Sequence, residues 1–203
     1  MKTTLLFFLL AITSTTVMAQ KSKLSDHERR LAVDLLTETQ NILLATLKDV
    51  DDKMWSYKPD ADSWSVAGCL EHIVFAESQL TLKVMKMIEG EPQPDIDLSS
   101  EDGLVIANVT DRSKKVKTIP PLVPSGRWTS KQEMIDELNR SREKLIEFTQ
   151  TTKANLRGFA AETPVGLRDA YQHLLVIASH GLRHTNQIKS IIAQYEGVSS
   201  ESD

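Results

Sequence analysis

The sequence predicts an all-α protein, a four-helix bundle with a long connection between its second and third helices. Four segments repeat apolar residues every three or four positions, and none alternates convincingly as a strand. The longest irregular stretch, residues 90–128, separates the second segment from the third. Amphipathic helices joined in this way bury their apolar stripes against one another, which is the architecture of a helix bundle.

The first predicted helix covers about residues 25–47. Charged residues separate its apolar positions, which are Leu31, Leu35, Leu36, Ile42, Leu43 and Leu47. A linker follows in which Lys58-Pro59-Asp60 signals a turn. Either Ser63 or Ser65 can then cap the next helix, because a serine hydroxyl accepts a hydrogen bond from a free backbone N–H of the first turn.

The second predicted helix runs from about Val66 to Glu89. Gly90, Pro92 and Pro94 follow it, and these residues are typical of a helix end. The connection over 90–128 is rich in proline and glycine. A connection of this length is usually a functional loop, a long crossover or a disordered segment.

The third predicted helix begins with a capping box, in which Ser130 and Glu133 satisfy each other's backbone donors, and continues to about Thr149. A second connection leads to the fourth helix, predicted over about residues 167–195. Gly197 is expected to close this last helix.

The first 19 residues have the pattern of a secretory signal peptide. Lys2 is the basic residue, Leu5–Ile12 form the apolar region, and Val17-Met18-Ala19 form a small-residue cleavage site. The alternative, a membrane anchor, needs about 20 apolar residues. We therefore expect a signal peptide over 1–19, a single domain over 20–203, export to the periplasm or the medium, and no stable membrane insertion after cleavage.

Charge argues against a nucleic-acid-binding protein, and cysteine content excludes a fold stabilised by an internal disulfide. Removing residues 1–19 removes one lysine and no acid, which leaves 23 basic and 28 acidic side chains and a formal net charge of −5. This acidic balance argues against nucleic acid as a partner, because such proteins gather a basic excess on one face. The single cysteine, Cys69, excludes an internal disulfide, so the core must stabilise the fold.

Histidines are the residues that indicate chemistry. His180 and His184 lie four positions apart, so both imidazoles project from one face of the fourth helix, and His173 falls on the same stripe. A pair at this spacing recurs in zinc sites, although a hydrogen-bonded core histidine is the alternative for each residue. His72 lies among the buried positions of the second helix. A shared metal would satisfy three imidazoles if the second and fourth helices are neighbours.

The chain also resembles the DinB-like bundles, named for a DNA-damage-inducible protein. The resemblance covers nearly all of the predicted mature chain and lies in "WSVAGCLEHIVFAE" (64–77), the loop and helix start over 111–138, and "HGLRHTNQI" (180–188). It implies a four-helix bundle, commonly a homodimer, with a divalent metal ion, zinc or nickel, as cofactor. The implied metal ligands are His72, His180 and His184. His173 is not a ligand position in that family.

Other residues carry two interpretations each. Glu38 could be a catalytic general base or a solvated residue at the helix edge, and Cys69 a fourth ligand or a buried, inert thiol. Gln187 could orient a ligand or only contact the helix surface. The charged run over 111–117 could face an anion or be solvated. The three tryptophans, Trp55, Trp64 and Trp128, are more often packing anchors than a substrate box.

The leading functional hypothesis is an exported, metal-dependent hydrolase that uses metal-bound water on an unknown small-molecule substrate. Three histidines leave a tetrahedral ion one open position, as in catalytic sites. The alternatives are a dimeric bundle that binds a metal or ligand without turnover, and a thiol-dependent S-transferase or isomerase, as some relatives in the family are. Hydrolysis needs a proton-transfer group beside the ion, and the candidates are Glu38, Glu71, Glu77 and His173.

Overall fold

The computed structural model describes residues 24–93, 95–128 and 130–200. This part of the chain is mostly helical, in agreement with the predicted all-α class. Four long helices dominate it, namely α1 (Asp26–Leu47), α3 (Val66–Ile88), α5 (Lys131–Thr151) and α6 (Ala170–Ser200). The predicted signal peptide, residues 1–19, lies outside the described residues. Among the described helices, none combines the length and the apolar content that crossing a membrane requires.

Serine caps define where three of the long helices begin. The side chain of Ser25 accepts a hydrogen bond from the backbone N–H of Glu28 at 3.2 Å, and the Glu28 carboxylate accepts one from the backbone N–H of Ser25 at 2.7 Å. Ser65 caps α3 through the N–H of Gly68 at 3.1 Å, and Ser130 caps α5 through the N–H of Glu133 at 3.2 Å. The predicted starts of these helices are therefore confirmed to within a residue.

Two short helices and the first strand of a hairpin lie in segments that were predicted to be irregular, and residues 167–169 of its second strand were predicted to begin the fourth helix. Helix α2 (Asp52–Ser56) is capped by Asp51, whose carboxylate accepts a hydrogen bond from the backbone N–H of Met54 at 2.8 Å. Helix α4 (Asp102–Thr110) occupies the middle of the connection over 90–128. Strands β1 (Ala160–Thr163) and β2 (Gly166–Asp169) pair antiparallel, with Ala160 opposite Asp169 and Thr163 opposite Gly166. The prediction that nothing forms a strand was therefore wrong for these eight residues.

The bounds of the last helix also differ from the prediction. Helix α6 begins at Ala170, because the preceding residues belong to β2, and it continues through Gly197 to Ser200. Gly166, the first residue of β2 after the hairpin turn, has a φ of 105°, a left-handed conformation that glycine adopts without strain. Gly197 was predicted to end the helix, but glycine only disfavours a helix interior by about 1 kcal/mol and does not forbid it.

The long helices pack so that α1 and α3 each contact both α5 and α6, while α4 contacts α6. The apolar core has two parts. One centres on Leu36, Leu145 and Leu174, and the other on Leu43, Leu70, Leu138 and Ile188. The contact between α3 and α6 is the one that brings the predicted histidines of the second and fourth helices to the same place.

Candidate metal site

Three histidines converge where α3 packs against α6. His72, His180 and His184 each direct one ring nitrogen into a group whose atoms all lie within 4.8 Å of one another. The Nε2 atoms of His72 and His180 are 3.2 Å apart. The ring centroid of His184 lies 4.5 Å from that of His72 and 4.5 Å from that of His180. Helical spacing places His180 and His184 together, and the α3–α6 contact adds His72.

Hydrogen bonds orient two of the three rings. The Nδ1–H of His72 donates to the carbonyl oxygen of Leu122 at 2.8 Å, and the Nδ1–H of His184 donates to the Oε1 atom of Gln187 at 2.9 Å. An imidazole that donates from Nδ1 keeps its lone pair on Nε2. The partners of the Nδ1 atoms therefore leave both Nε2 atoms free to accept a proton or a cation.

Burial keeps these imidazoles uncharged at neutral pH. It lowers the pKa of His184 to about 3, and the nearby His72 adds to that shift. Burial, followed by the neighbouring His184 and His72, holds the pKa of His180 well below its ordinary value. Burial also lowers the pKa of His72, although the bond to Leu122 acts in the opposite direction. Neutral imidazole is the form that binds metals.

The donor set fits a divalent ion. Tetrahedral zinc holds imidazole nitrogens at about 2.0–2.1 Å, which separates two ligand atoms by roughly 3.3 Å. The 3.2 Å between the Nε2 atoms of His72 and His180 agrees with that separation. Each of the two rings with a described Nδ1 partner is also held in the tautomer that coordination by Nε2 requires.

Trp64 forms one wall of this site. Its ring centroid lies 4.8 Å from that of His72 and 5.9 Å from that of His184, with the second pair of planes inclined by 29°. The sequence interpretation treated Trp64 as a packing anchor and missed this role. Its position immediately before Ser65, the cap of the helix that carries His72, is the only signal that could have revealed it.

A loop over residues 120–127 covers the α3 side of the site. The carboxylate of Glu71 is buried and accepts hydrogen bonds from the backbone N–H groups of Ser125 at 2.8 Å and Gly126 at 2.9 Å. Burial acts to raise the pKa of Glu71, but these bonds and those from Arg127 outweigh it and lower the pKa. Glu71 is therefore an ionised anchor for the loop and not a free proton-transfer group.

The remaining proton-transfer candidates are also engaged elsewhere or exposed. Glu38 lies on the exposed side of α1, which agrees with its interpretation as a solvated edge residue. Glu77 pairs with Arg142 in the core. His173 is buried seven residues before His180, and its Nδ1–H donates to the carbonyl oxygen of Asp169 at 3.0 Å. His173 therefore belongs to the core.

Two residues, Cys69 and Gln187, were each given two alternative roles from the sequence. Cys69 is fully buried, and burial raises the pKa of its thiol to about 12, so it is protonated and inert at neutral pH. It is not part of the three-histidine group. The side-chain oxygen of Gln187 accepts a hydrogen bond from the His184 ring, so Gln187 orients that ring.

The charged run over 111–117 is exposed and makes hydrogen bonds with α6. The guanidinium of Arg183 donates to the carbonyl oxygens of Asp111 and Lys114, the latter at 2.9 Å. Arg112 donates to the hydroxyl of Ser190 at 3.1 Å. These bonds attach the run to α6 and leave its lysines in solvent.

Comparisons with known proteins identify the family of this chain. The family model described as the DinB superfamily matches residues 35–188, which include all three histidines. The chain is also 27% identical over 156 residues to the Uncharacterized protein YuaE of Bacillus subtilis (strain 168), a match that covers 74% of this chain and 90% of that protein. No solved structure matches the chain.

Proposed function

This chain belongs to the DinB superfamily, and from that premise we propose that it is a divalent-metal-binding protein whose ion is held by His72, His180 and His184. The observation that carries the proposal is the convergence of three imidazole nitrogens within 4.8 Å of one another between two packed helices. Burying several imidazoles together is costly unless a shared partner satisfies them, and a metal ion is such a partner.

Zinc or nickel is the proposed ion. Nitrogen donors suit both ions, whereas magnesium and calcium prefer oxygen donors. When bound with one open position, such an ion supplies Lewis acidity and lowers the pKa of a coordinated water to about 7. The protein contributes the orientation of two ligand rings, through Leu122 and Gln187, and an aromatic wall from Trp64.

Elemental analysis tests the metal proposal directly. The purified protein should contain about one equivalent of zinc or nickel, and the double variant His180→Ala/His184→Ala should contain almost none. His27→Ala is a matched control, because His27 is exposed on α1. Equal metal content in the double variant and the control would contradict the assignment.

For the reaction, we propose hydrolysis of a small-molecule substrate, with binding without turnover as the second candidate. The second candidate is supported by the surroundings of the histidines, since Glu71 and Glu77 are committed to other partners and Glu38 is exposed. A panel of ester, amide and phosphoester probes separates the two. Turnover that the His180→Ala/His184→Ala variant lacks supports hydrolysis, and adding a small thiol to the same panel tests the S-transferase alternative.

We also propose that residues 1–19 are removed and that residues 20–203 form one exported domain, periplasmic or secreted. The support is the apolar segment followed by Val17-Met18-Ala19. N-terminal sequencing of exported protein should begin at Gln20. Exported protein that still begins at Met1 would contradict this proposal.

The four long helices are proposed to form the four-helix bundle of the family, with a long connection between α3 and α5, and the protein is proposed to be a homodimer. The support for the bundle is that α1 and α3 each contact α5 and α6. The support for the dimer is that members of the family are commonly homodimers. Light scattering of the purified protein measures its mass, and a monomer at micromolar concentration would contradict the dimer.

A further inference from the structure

Glu71 and His72 are consecutive residues of α3 that bind the same loop, Glu71 as a hydrogen-bond acceptor and His72 as a donor. Glu71 accepts hydrogen bonds from three successive backbone N–H groups of the 120–127 loop, those of Ser125, Gly126 and Arg127. His72 donates in the other direction, from Nδ1–H to the carbonyl oxygen of Leu122. The loop therefore connects a buried carboxylate to one ring of the three-histidine group.

Arg127 binds both the Glu71 carboxylate and the backbone on either side of Leu122. Its Nη1 atom lies 2.8 Å from the Glu71 carboxylate and 3.1 Å from the carbonyl oxygen of Val123. Its Nη2 atom lies 2.9 Å from the carbonyl oxygen of Pro121, and the guanidinium packs 4.2 Å from the centre of the Phe75 ring. Bonds to residues 121 and 123 enclose Leu122, so the position of the Leu122 carbonyl depends on this ion pair.

The backbone at Gly126 makes the arrangement possible. Its φ is 76°, in the left-handed region, and this conformation turns neighbouring N–H groups toward a single anion. A Cβ atom at this position would meet no atom within 4 Å, so the need for glycine comes from the backbone conformation and not from lack of space.

The consequence concerns the tautomer of His72. A neutral imidazole carries one proton, and the acceptor that it meets decides which nitrogen holds it. While the Leu122 carbonyl faces Nδ1, the proton stays there and Nε2 presents a lone pair to His180, 3.2 Å away. If the loop departs, the proton can occupy Nε2 and block the nitrogen that faces the other histidines.

We propose that Glu71 is a positioning residue for the three-histidine site. By holding the 120–127 loop against α3, it keeps the Leu122 carbonyl on Nδ1 of His72 and the lone pair on Nε2. The inference rests on the proposed metal function only for its effect on affinity, because the tautomer is a property of the metal-free protein. Linkage makes the effect reciprocal, so an ion that binds Nε2 also stabilises the loop.

The first measurement is the tautomer of His72 in metal-free protein, read from the ring nitrogen shifts and their couplings to the ring protons by NMR at pH 7.5. The wild type and the control Glu89→Gln, an exposed residue at the end of the same helix, should show only the Nδ1–H form. Glu71→Gln should show a mixture, because the amide loses the charge that holds the N–H groups and Arg127.

The second measurement is zinc affinity by competition with a chromophoric chelator. Loss of a group that orients a metal ligand commonly weakens metal affinity by about 10–100-fold. We expect a weakening in this range for Glu71→Gln and no change for Glu89→Gln. Zinc should also slow hydrogen exchange at residues 125–127 in the wild type, and slow it less in the variant.

Gly126→Ala is the second variant, in case Glu71→Gln does not fold. It leaves every acid and histidine in place but strains the left-handed backbone that the loop requires. It should shift the His72 tautomer in the same direction. A folded Glu71→Gln or Gly126→Ala protein that keeps His72 entirely as Nδ1–H, with zinc affinity equal to that of Glu89→Gln, would overturn the proposal. If the wild type binds no zinc, the proposed metal function is wrong. The His72 tautomer in metal-free protein still tests whether Glu71 positions the loop.

Discussion

Arg142 and Glu77 form an ion pair that is almost completely buried between α5 and α3. The Nη2 atom of Arg142 lies 2.6 Å from Oε2 of Glu77, and the two side chains are 1% and 2% exposed. The same guanidinium donates to the hydroxyl of Thr39 on α1 at 3.1 Å. Gly181 of α6 is also adjacent, since a Cβ placed there would meet Nη2 at 3.6 Å. A single charged pair thus touches all four long helices.

Breaking this pair should destabilise the fold strongly. Arg142→Met leaves the Glu77 carboxylate buried without its partner, and such changes cost about 3–5 kcal/mol. The double variant Glu77→Leu/Arg142→Met removes both charges and should lose less stability than Arg142→Met alone. Urea denaturation measures both effects.

The exposed pair of Arg140 and Glu137 on α5 is the matched control for this prediction. Arg140→Gln should change stability by less than about 1 kcal/mol, because solvent screens the pair. If Arg142→Met cost no more than Arg140→Gln, the buried pair would contribute nothing to stability.

Arg157 should hold the start of α4 in place. Its guanidinium pairs with Glu28 at 2.8 Å and Asp169 at 3.0 Å, also binds Asp102 at the first position of α4, and packs 4.0 Å from the centre of the Tyr171 ring. We expect Arg157→Gln to destabilise the protein by about 3 kcal/mol, because it leaves the fully buried Asp169 without its cation.

Hydrogen exchange distinguishes local from global effects of this change. Exchange over residues 102–110 should accelerate in Arg157→Gln more than exchange in the middle of α5. The exposed Arg30 of α1 provides the control, and Arg30→Gln should leave both regions unchanged. Equal acceleration everywhere would indicate a global role for Arg157 and contradict the specific one.

The helices and the histidines could be predicted because their signals are local. Ser25, Ser65 and Ser130 mark helix starts through their own hydroxyls, and four-residue spacing alone places His180 over His184. Adding His72 required a family resemblance, since no local pattern shows which helices pack together.

The remaining features depend on tertiary contacts and could not be predicted in this way. Helix α4 contains Gly103 and four β-branched residues within its nine positions, a weak helical composition that packing against α6 and the bond from Arg157 to Asp102 stabilise. The hairpin strands are four residues long, too short for a convincing alternation. Leu122 acts through its backbone carbonyl, so the identity of its side chain carries no signal.

His173 should make stability sensitive to acid. Burial, and after it the charges of Lys83 and Arg168, lower the pKa of His173, while its bond to the Asp169 carbonyl opposes the shift. The unfolded chain therefore binds a proton at a higher pH than the folded one, near 6.5, and the free energy of unfolding falls as the pH drops below that value. One such group contributes a slope of at most about 1.4 kcal/mol per pH unit.

The variant His173→Asn tests this assignment, because its amide N–H can replace the Nδ1–H donor without titrating. Urea unfolding of metal-free protein between pH 7 and 5 should show a smaller slope for the variant than for the wild type. NMR titration of the folded wild type provides the direct check. A His173 midpoint at the ordinary value of about 6.5 would contradict the prediction.

Trp64 should report metal binding through its fluorescence. Its ring lies 4.8 Å from the His72 ring and 5.9 Å from the His184 ring, measured between centroids. An ion with a partly filled d shell, such as nickel or copper, quenches an excited indole at this range, whereas zinc has a filled shell. We therefore expect nickel to quench part of the wild-type emission and zinc to leave it nearly unchanged. Trp64→Phe should abolish most of the quenching.

Trp55 is the control for that measurement, because its described ring contact is with Lys131, 5.9 Å from the ring centre, and not with a histidine. Trp55→Phe should lower total emission but preserve the fractional loss on adding nickel. Quenching of the same size in Trp64→Phe and Trp55→Phe would place the ion away from His72 and His184. Both variants keep all three histidines. Such a result therefore could not be explained by the loss of a proposed ligand.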